Sequence, residues 1–379
     1  MNQLLTLAIL LFTALFFRQV FLKIKLPTVL GYMIAGIFLG PSILNIIHGN
    51  HLISSMAELG VIVLMFIAGL ECDLQLLKKY FKPSITIAFL GILLPIIGMY
   101  WMGQIMELSK IESLFVGIIF AATSVSISVA VLKELNKLKT QAGTTILGAA
   151  VADDILSILL LSIVISFTGI GDSNNQVNLY SLISYQIAFF FLIWLLSFII
   201  KKIPLVRFEK LKSIFPILAL AFALLLSGIA ELVQVSAITG AFFAGIIIGQ
   251  TKFKEHLTDK IDQFGQLFLI PLFFINVGLS VKLDGIFDNS GLFILMLIIA
   301  VLTKFIGAYS GARLFKFSRN NASQIGIGMI SRGEVGLIIA EIGFKNQLIS
   351  AEYYSTIIAV IIITTIITPI LLRMVIKKK

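Results

Sequence analysis

The chain has 379 residues, 59% of them hydrophobic and only 13% charged, with a mean hydropathy of +1.06. Uncharged apolar runs recur from end to end, which excludes a soluble globular domain and indicates an all-α, multi-pass membrane protein. The formal net charge of +10 sits in small clusters between those runs. That distribution fits cytoplasmic loops and speaks against a nucleic-acid partner.

Taken in order, the apolar runs predict thirteen spans: 3–21, 28–47, 55–72, 82–105, 111–133, 142–168, 180–201, 213–231, 236–250, 258–283, 290–316, 321–345 and 353–376. The first lacks a basic leader region, since its positive residues come after it, so it is expected to be a retained span and not a cleaved signal. The third closes on Glu71 and Asp73, either solvated end charges or part of a cavity lining. The fifth carries small and hydroxyl residues from Ala121 to Ser128, including Thr123 and Ser124, where a helix is open to interruption. The sixth has Asp153 and Asp154 at its midpoint. The run at 236–250 is short for a spanning helix. The eleventh holds Lys304, about 21 Å along its axis, and the twelfth combines Gly326, Gly328, Ser331, Gly333 and Gly336 with Arg332 and Glu334.

Lysine and arginine test this division. One set of alternate loops holds twenty-four of the 29 positive residues and the other set only Lys110, Lys282 and Lys345, leaving Lys304 and Arg332 inside spans. The expected topology is N-terminus outside and C-terminus inside. The spans from 82 and from 290 then form triplets of opposite orientation, each with a weakened central helix, which is the inverted-repeat architecture of secondary transporters.

The buried charged set is Asp153, Asp154 and Glu334 against Lys304 and Arg332. A charge at mid-bilayer costs at least ~2.5–3.5 kcal/mol, so two adjacent aspartates need a reason to be there. Consecutive helical residues point about 100° apart, so the pair is expected to divide. One carboxylate is tied to Lys304, while the other faces a cavity and holds either a proton or a cation, the minimal device for antiport. Arg332 and Glu334 either lock the broken helix or take part in coupling. His48, His51 and His256 lack ligand spacing, and the single Cys72 excludes an intrachain disulfide or a cysteine metal cage.

Competing classes fit less well. An intramembrane aspartyl protease needs Tyr-Asp and Gly-x-Gly-Asp strings that are missing, so Asp154 with Glu334 would be an improvised dyad. No Gly-x-Ser-Gly or His-Glu-x-x-His string indicates an enzyme of another kind. A symporter for organic anions calls for a basic midplane, and a channel for a continuous polar stripe.

Six strings occur in a fixed order: Leu26 to Leu44 (LPTVLGYMIAGIFLGPSIL), Phe66 to Asp73 (FIAGLECD), Ala121 to Leu132 (AATSVSISVAVL), Val151 to Ile158 (VADDILSI), Pro271 to Leu279 (PLFFINVGL) and Ser331 to Ile338 (SRGEVGLI). With Lys304 between the last two, the chain resembles the monovalent cation:proton antiporters of the second branch over nearly its whole length. The resemblance implies thirteen helices with two discontinuous, crossing ones. It implies a core ion-transport domain at 82–168 and 290–376, a scaffold or dimerisation domain at 3–72 and 213–283, and a linking helix at 180–201. Asp154 would be the shared site for a monovalent cation and a proton, Asp153 the partner of Lys304, and Thr123 and Ser124 would lie at the first helix break. Members are typically homodimers that work by an elevator movement, and for this chain a prokaryotic plasma-membrane location and no cofactor are expected. An Asp-Asp pair with a buried lysine resembles the electrogenic members, for which membrane potential contributes about 2.3 kcal/mol per charge per 100 mV. The chain stops at Lys379 without a nucleotide-binding gate, which favours sodium or lithium over potassium as the expected cation.

Overall fold

The computed structural model describes residues 2–168, 179–202, 214–281, 290–346 and 348–377. Among these residues every regular element is helical. The helices are α1 (Gln3–Lys23), α2 (Thr28–Leu39), α3 (His51–Glu71), α4 (Leu74–Lys79), α5 (Phe81–Ile105), α6 (Lys110–Ala121), α7 (Val125–Glu134), α8 (Gln141–Thr168) and α9 (Leu179–Lys202). They continue with α10 (Phe215–Leu232), α11 (Ala237–Ile248), α12 (Lys254–Phe264), α13 (Ile270–Leu279), α14 (Ser290–Leu314), α15 (Arg319–Gly328), α16 (Glu334–Lys345) and α17 (Ala351–Lys377). A π-helical turn, Gly265–Leu269, joins α12 to α13.

Among the described residues, ten helical stretches are long and apolar enough to cross a membrane, and Thr28–Leu39, Ala237–Ile248 and Val335–Phe344 are shorter apolar helices. One span expectation changes, and the two expected helix interruptions are present. The run 28–47 does not stay helical: α2 stops at Leu39, and Gly40 is extended with ψ −176°, as the ring of the following Pro41 demands. The runs 111–133 and 321–345 are each two helices, interrupted after Ala121 and after Gly328. The division between 213–231 and 236–250 is real, with α10 ending at Leu232 and α11 starting at Ala237.

The element order repeats. Helix starts at Thr28, Phe81, Lys110 and Val125 recur at Ala237, Ser290, Arg319 and Glu334, each 209 residues further on. Glycines carry the same period. Gly31, Ala35, Gly36, Ile37 and Gly40 of the first half correspond to Gly240, Ala244, Gly245, Ile246 and Gly249 of the second. Their packing is also duplicated. A Cβ on Gly36 would lie 2.1 Å from the Ile275 carbonyl oxygen, and one on Gly278 2.1 Å from that of Met33. The second crossing matches it: Gly69 meets the Phe242 carbonyl at 2.1 Å and Gly245 that of Phe66 at 2.2 Å. Helices α2 and α13, and α3 and α11, therefore touch backbone to backbone, an approach that only glycine allows.

Two packing groups follow. Helices α1, α2, α3, α10, α11 and α13 pack on one another, while α5 packs on α6, α8 and α14, and α14 packs on α15 and α17. Helix α7 touches α2 and α3 of the first group as well as α8 and α17 of the second.

Candidate functional site

The two helix breaks meet. The Ser124 N–H donates to the Ser331 carbonyl at 2.9 Å, and the Ser331 hydroxyl donates back to the Ser124 carbonyl at 2.9 Å. Small residues make this possible: a Cβ on Gly333 would sit 2.5 Å from the Ser124 hydroxyl oxygen. Ser128, a turn into α7, donates to the Gly328 carbonyl where α15 ends.

Each interrupted helix leaves carbonyls without an intrahelical partner, and that end carries the negative pole of its dipole. Each receives a buried cation. Lys304, from α14, donates to the carbonyl of Ala121, the last residue of α6. Arg332 donates through Nη1 to the Ile330 carbonyl just past α15, and through Nη2 to the Ala300 carbonyl of α14 at 3.1 Å. Both side chains are fully buried. Lys304 also pairs with Asp153, with Nζ 3.0 Å from Oδ1. Arg332 thus finds its partners in backbone carbonyls. The side chain of Glu334 lies outside the described residues.

Asp154 turns away from this pair. Its Oδ2 accepts a hydrogen bond from the Thr239 hydroxyl of α11 at 3.3 Å. Adjacent aspartates therefore serve different sides, as their angular separation requires: Asp153 faces α14 within the second packing group, and Asp154 faces α11 in the first. The Thr123 hydroxyl and Asp153 Oδ2 are buried and make no hydrogen bond among the described residues. Ser124 is buried, and its hydroxyl lies 3.1 Å from that of Ser126.

A cavity of about 640 Å³ approaches from one end of the bundle, lined by Glu58, Glu231, Ser236, Ile238, Ile158 and Val335 among others. Ile158 is one turn beyond Asp154 on α8, and Ile238 precedes Thr239. A second cavity, of about 380 Å³, includes Glu71, Lys133, Glu134 and Asp262 in its lining. Glu71 is neither solvated alone nor near Asp154 in a contact: it holds Lys133 at 2.6 Å, and Lys133 also reaches Asp262 at 3.3 Å. Glu134 accepts from the Thr28 N–H and hydroxyl, both at 2.8 Å, and so caps α2.

Sequence reasoning missed Thr239, Lys133, Glu134 and Asp262.

A membrane-embedded bundle with two crossed, interrupted helices and paired buried charges is the build of a secondary transporter. Residues 7–378 match the family model described as sodium/hydrogen exchanger, transmembrane, and the chain belongs to that family. It is 44% identical to a Na(+)/H(+) antiporter of Enterococcus hirae over 94% of this chain and 93% of the relative. It is 39% identical to the Na(+)/H(+)-K(+) antiporter GerN of Bacillus cereus over 92% and 89%. Its fold is similar to that of the sodium proton antiporter MjNhaP1 of Methanocaldococcus jannaschii, with TM-score 0.74, 17% identity and coverage of 99% and 95%.

Proposed function

We propose that the chain exchanges sodium or lithium for protons across the membrane, with Asp154 as the carboxylate that holds one or the other. The single observation that carries this reading is the division of the aspartate pair. Asp153 is neutralised by Lys304 at 3.0 Å, whereas Asp154 lies against α11, next to residues that line a cavity of about 640 Å³. A carboxylate so placed binds a hard monovalent cation or a proton, and occupation by one displaces the other. The names of the relatives support the choice of sodium, and the B. cereus relative keeps potassium as a second reading.

In this reading the helices form thirteen spans with the N-terminus outside and the C-terminus inside, supported by the loop distribution of lysine and arginine. Residues 82–168 and 290–376 act as the core, 3–72 and 213–283 as the scaffold of a homodimer, and 180–201 as the link. The core moves as an elevator and carries Asp154 from one face to the other. Support comes from the two packing groups and from the position of Asp154 at their seam. Exchange is electrogenic, two protons per cation, with Lys304 and Asp153 sharing in the charge balance.

The test is proteoliposome flux: a sodium or lithium gradient should dissipate an imposed pH gradient, and Asp154→Asn should abolish it. Full exchange in that variant ends the assignment. Faster exchange when valinomycin and potassium clamp the voltage supports electrogenic transport, and insensitivity to the clamp rejects it.

A further inference from the structure

Apart from the ion site, a third cavity of about 790 Å³ lies between the two helix groups. One wall is α4, α5 and α8, with Ile85, Val151 and Ile155; the other is α9 and α11, with Phe190, Trp194 and Phe243. Phe81 and Trp194, which belong to its rim, are 59% and 61% exposed. Helices α5, α8 and α9 are long and apolar enough to cross a membrane, so the groove opens sideways into the hydrocarbon, where lipid is the surrounding solvent.

One end is polar. Lys78 lines the groove together with Ser197 and Gln250, and Gln250 donates to the Ser197 hydroxyl at 3.1 Å. Leu74 of α4 and Gln250 also share an adjoining cavity, which brings the Lys78 helix and the Ser197–Gln250 pair to the same end. Lys79 follows Lys78 in the last turn of α4, and Lys82 sits in the first turn of α5. An apolar trough that ends in ammonium and hydroxyl donors matches one molecule of the bilayer. Acyl chains fit the walls, a phosphate fits the lysine, and an ester oxygen fits the Ser197 hydroxyl, which Gln250 holds in place while its other N–H donates to the Ile246 carbonyl. Free phosphate would leave the apolar walls without an occupant.

We infer that this groove is a binding site for an anionic glycerophospholipid, seated between α8 and α9 with its phosphate at Lys78. The chain has two tryptophans, so Trp101→Phe leaves Trp194 as the sole reporter in the groove. In phosphatidylcholine proteoliposomes, dibrominated phosphatidylglycerol should quench Trp194 about fivefold more effectively than dibrominated phosphatidylcholine at equal mole fraction. That factor corresponds to ~1 kcal/mol for one lysine at an anionic headgroup. Lys78→Gln should bring the ratio close to one, and Lys78→Arg should preserve it. Equal quenching by the two lipids in the parent protein overturns the inference. So does weak quenching by both, which would mean that a second protein surface covers the groove. An excess that survives Lys78→Gln overturns the placing of the headgroup.

Discussion

The ammonium of Lys304 stands 3.0 Å from Asp153, with neither side chain reached by solvent, and it also closes the end of α6 at the Ala121 carbonyl. Removing one partner of a buried pair leaves an uncompensated charge, which costs about 3–5 kcal/mol. Lys304→Met should therefore lower the thermal unfolding midpoint strongly, and adding Asp153→Asn should restore much of the loss. A double variant as unstable as Lys304→Met alone would show that the helix-end contact, not the ion pair, is what matters.

Thr239 donates to Asp154 across 85 residues of sequence. Thr239→Val keeps the shape and removes the donor, a change worth ~1 kcal/mol for a hydrogen bond to a charged or polar partner. Transport should persist with the apparent cation affinity shifted about fivefold, and Thr239→Ser should behave like the parent. The comparison of apparent KM for sodium in vesicles decides the matter.

Backbone contact at the glycine crossings admits no methyl group. Gly36→Ala would force a Cβ to within 2.1 Å of the Ile275 carbonyl oxygen, so this variant should fail to fold or melt far below the parent. Gly228, in α10, has nothing within 4 Å of a built Cβ. Gly228→Ala should be neutral or stabilising by up to ~1 kcal/mol through helix propensity. Size-exclusion profiles and melting curves of the two variants make a direct contrast.

Lys133 bridges Glu71 of α3 and Asp262 of α12. Lys133→Met removes the cation shared by Glu71 and Asp262, whereas Lys133→Met with Glu71→Gln leaves only Asp262 of those two carboxylates. A double-mutant cycle on unfolding should return a coupling of ~1–3 kcal/mol. Coupling near zero would reduce this cluster to a solvated surface pair.

How much of this was legible beforehand depends on where each signal lives. The aspartates, Lys304 and Arg332 were readable because a charge within an apolar run has no cheap solvation. The interruptions at Ala121–Ser124 and Gly328–Gly333 were readable from residues that neither favour helix nor fill space. The early stop of α2 was written in Gly40-Pro41, but apolar residues beyond it masked the signal. Thr239 and the Lys133 cluster were not legible, because one polar residue in a short apolar helix, or one charge near a helix end, acquires its meaning only from its neighbour in space. The whole-chain period of 209 residues escaped notice because it is carried mainly by glycines, whose message is an absence of volume.

Contacts between carbonyls and α-carbons have no rotamers to relax. Where α2 lies on α13 and α3 on α11, sliding by even a fraction of an ångström meets hard repulsion, so those four helices behave as a single rigid frame. Whatever displacement exposes a bound ion to alternate sides must then be taken up along seams faced with flexible side chains, such as the one where α8 meets α9 and α11.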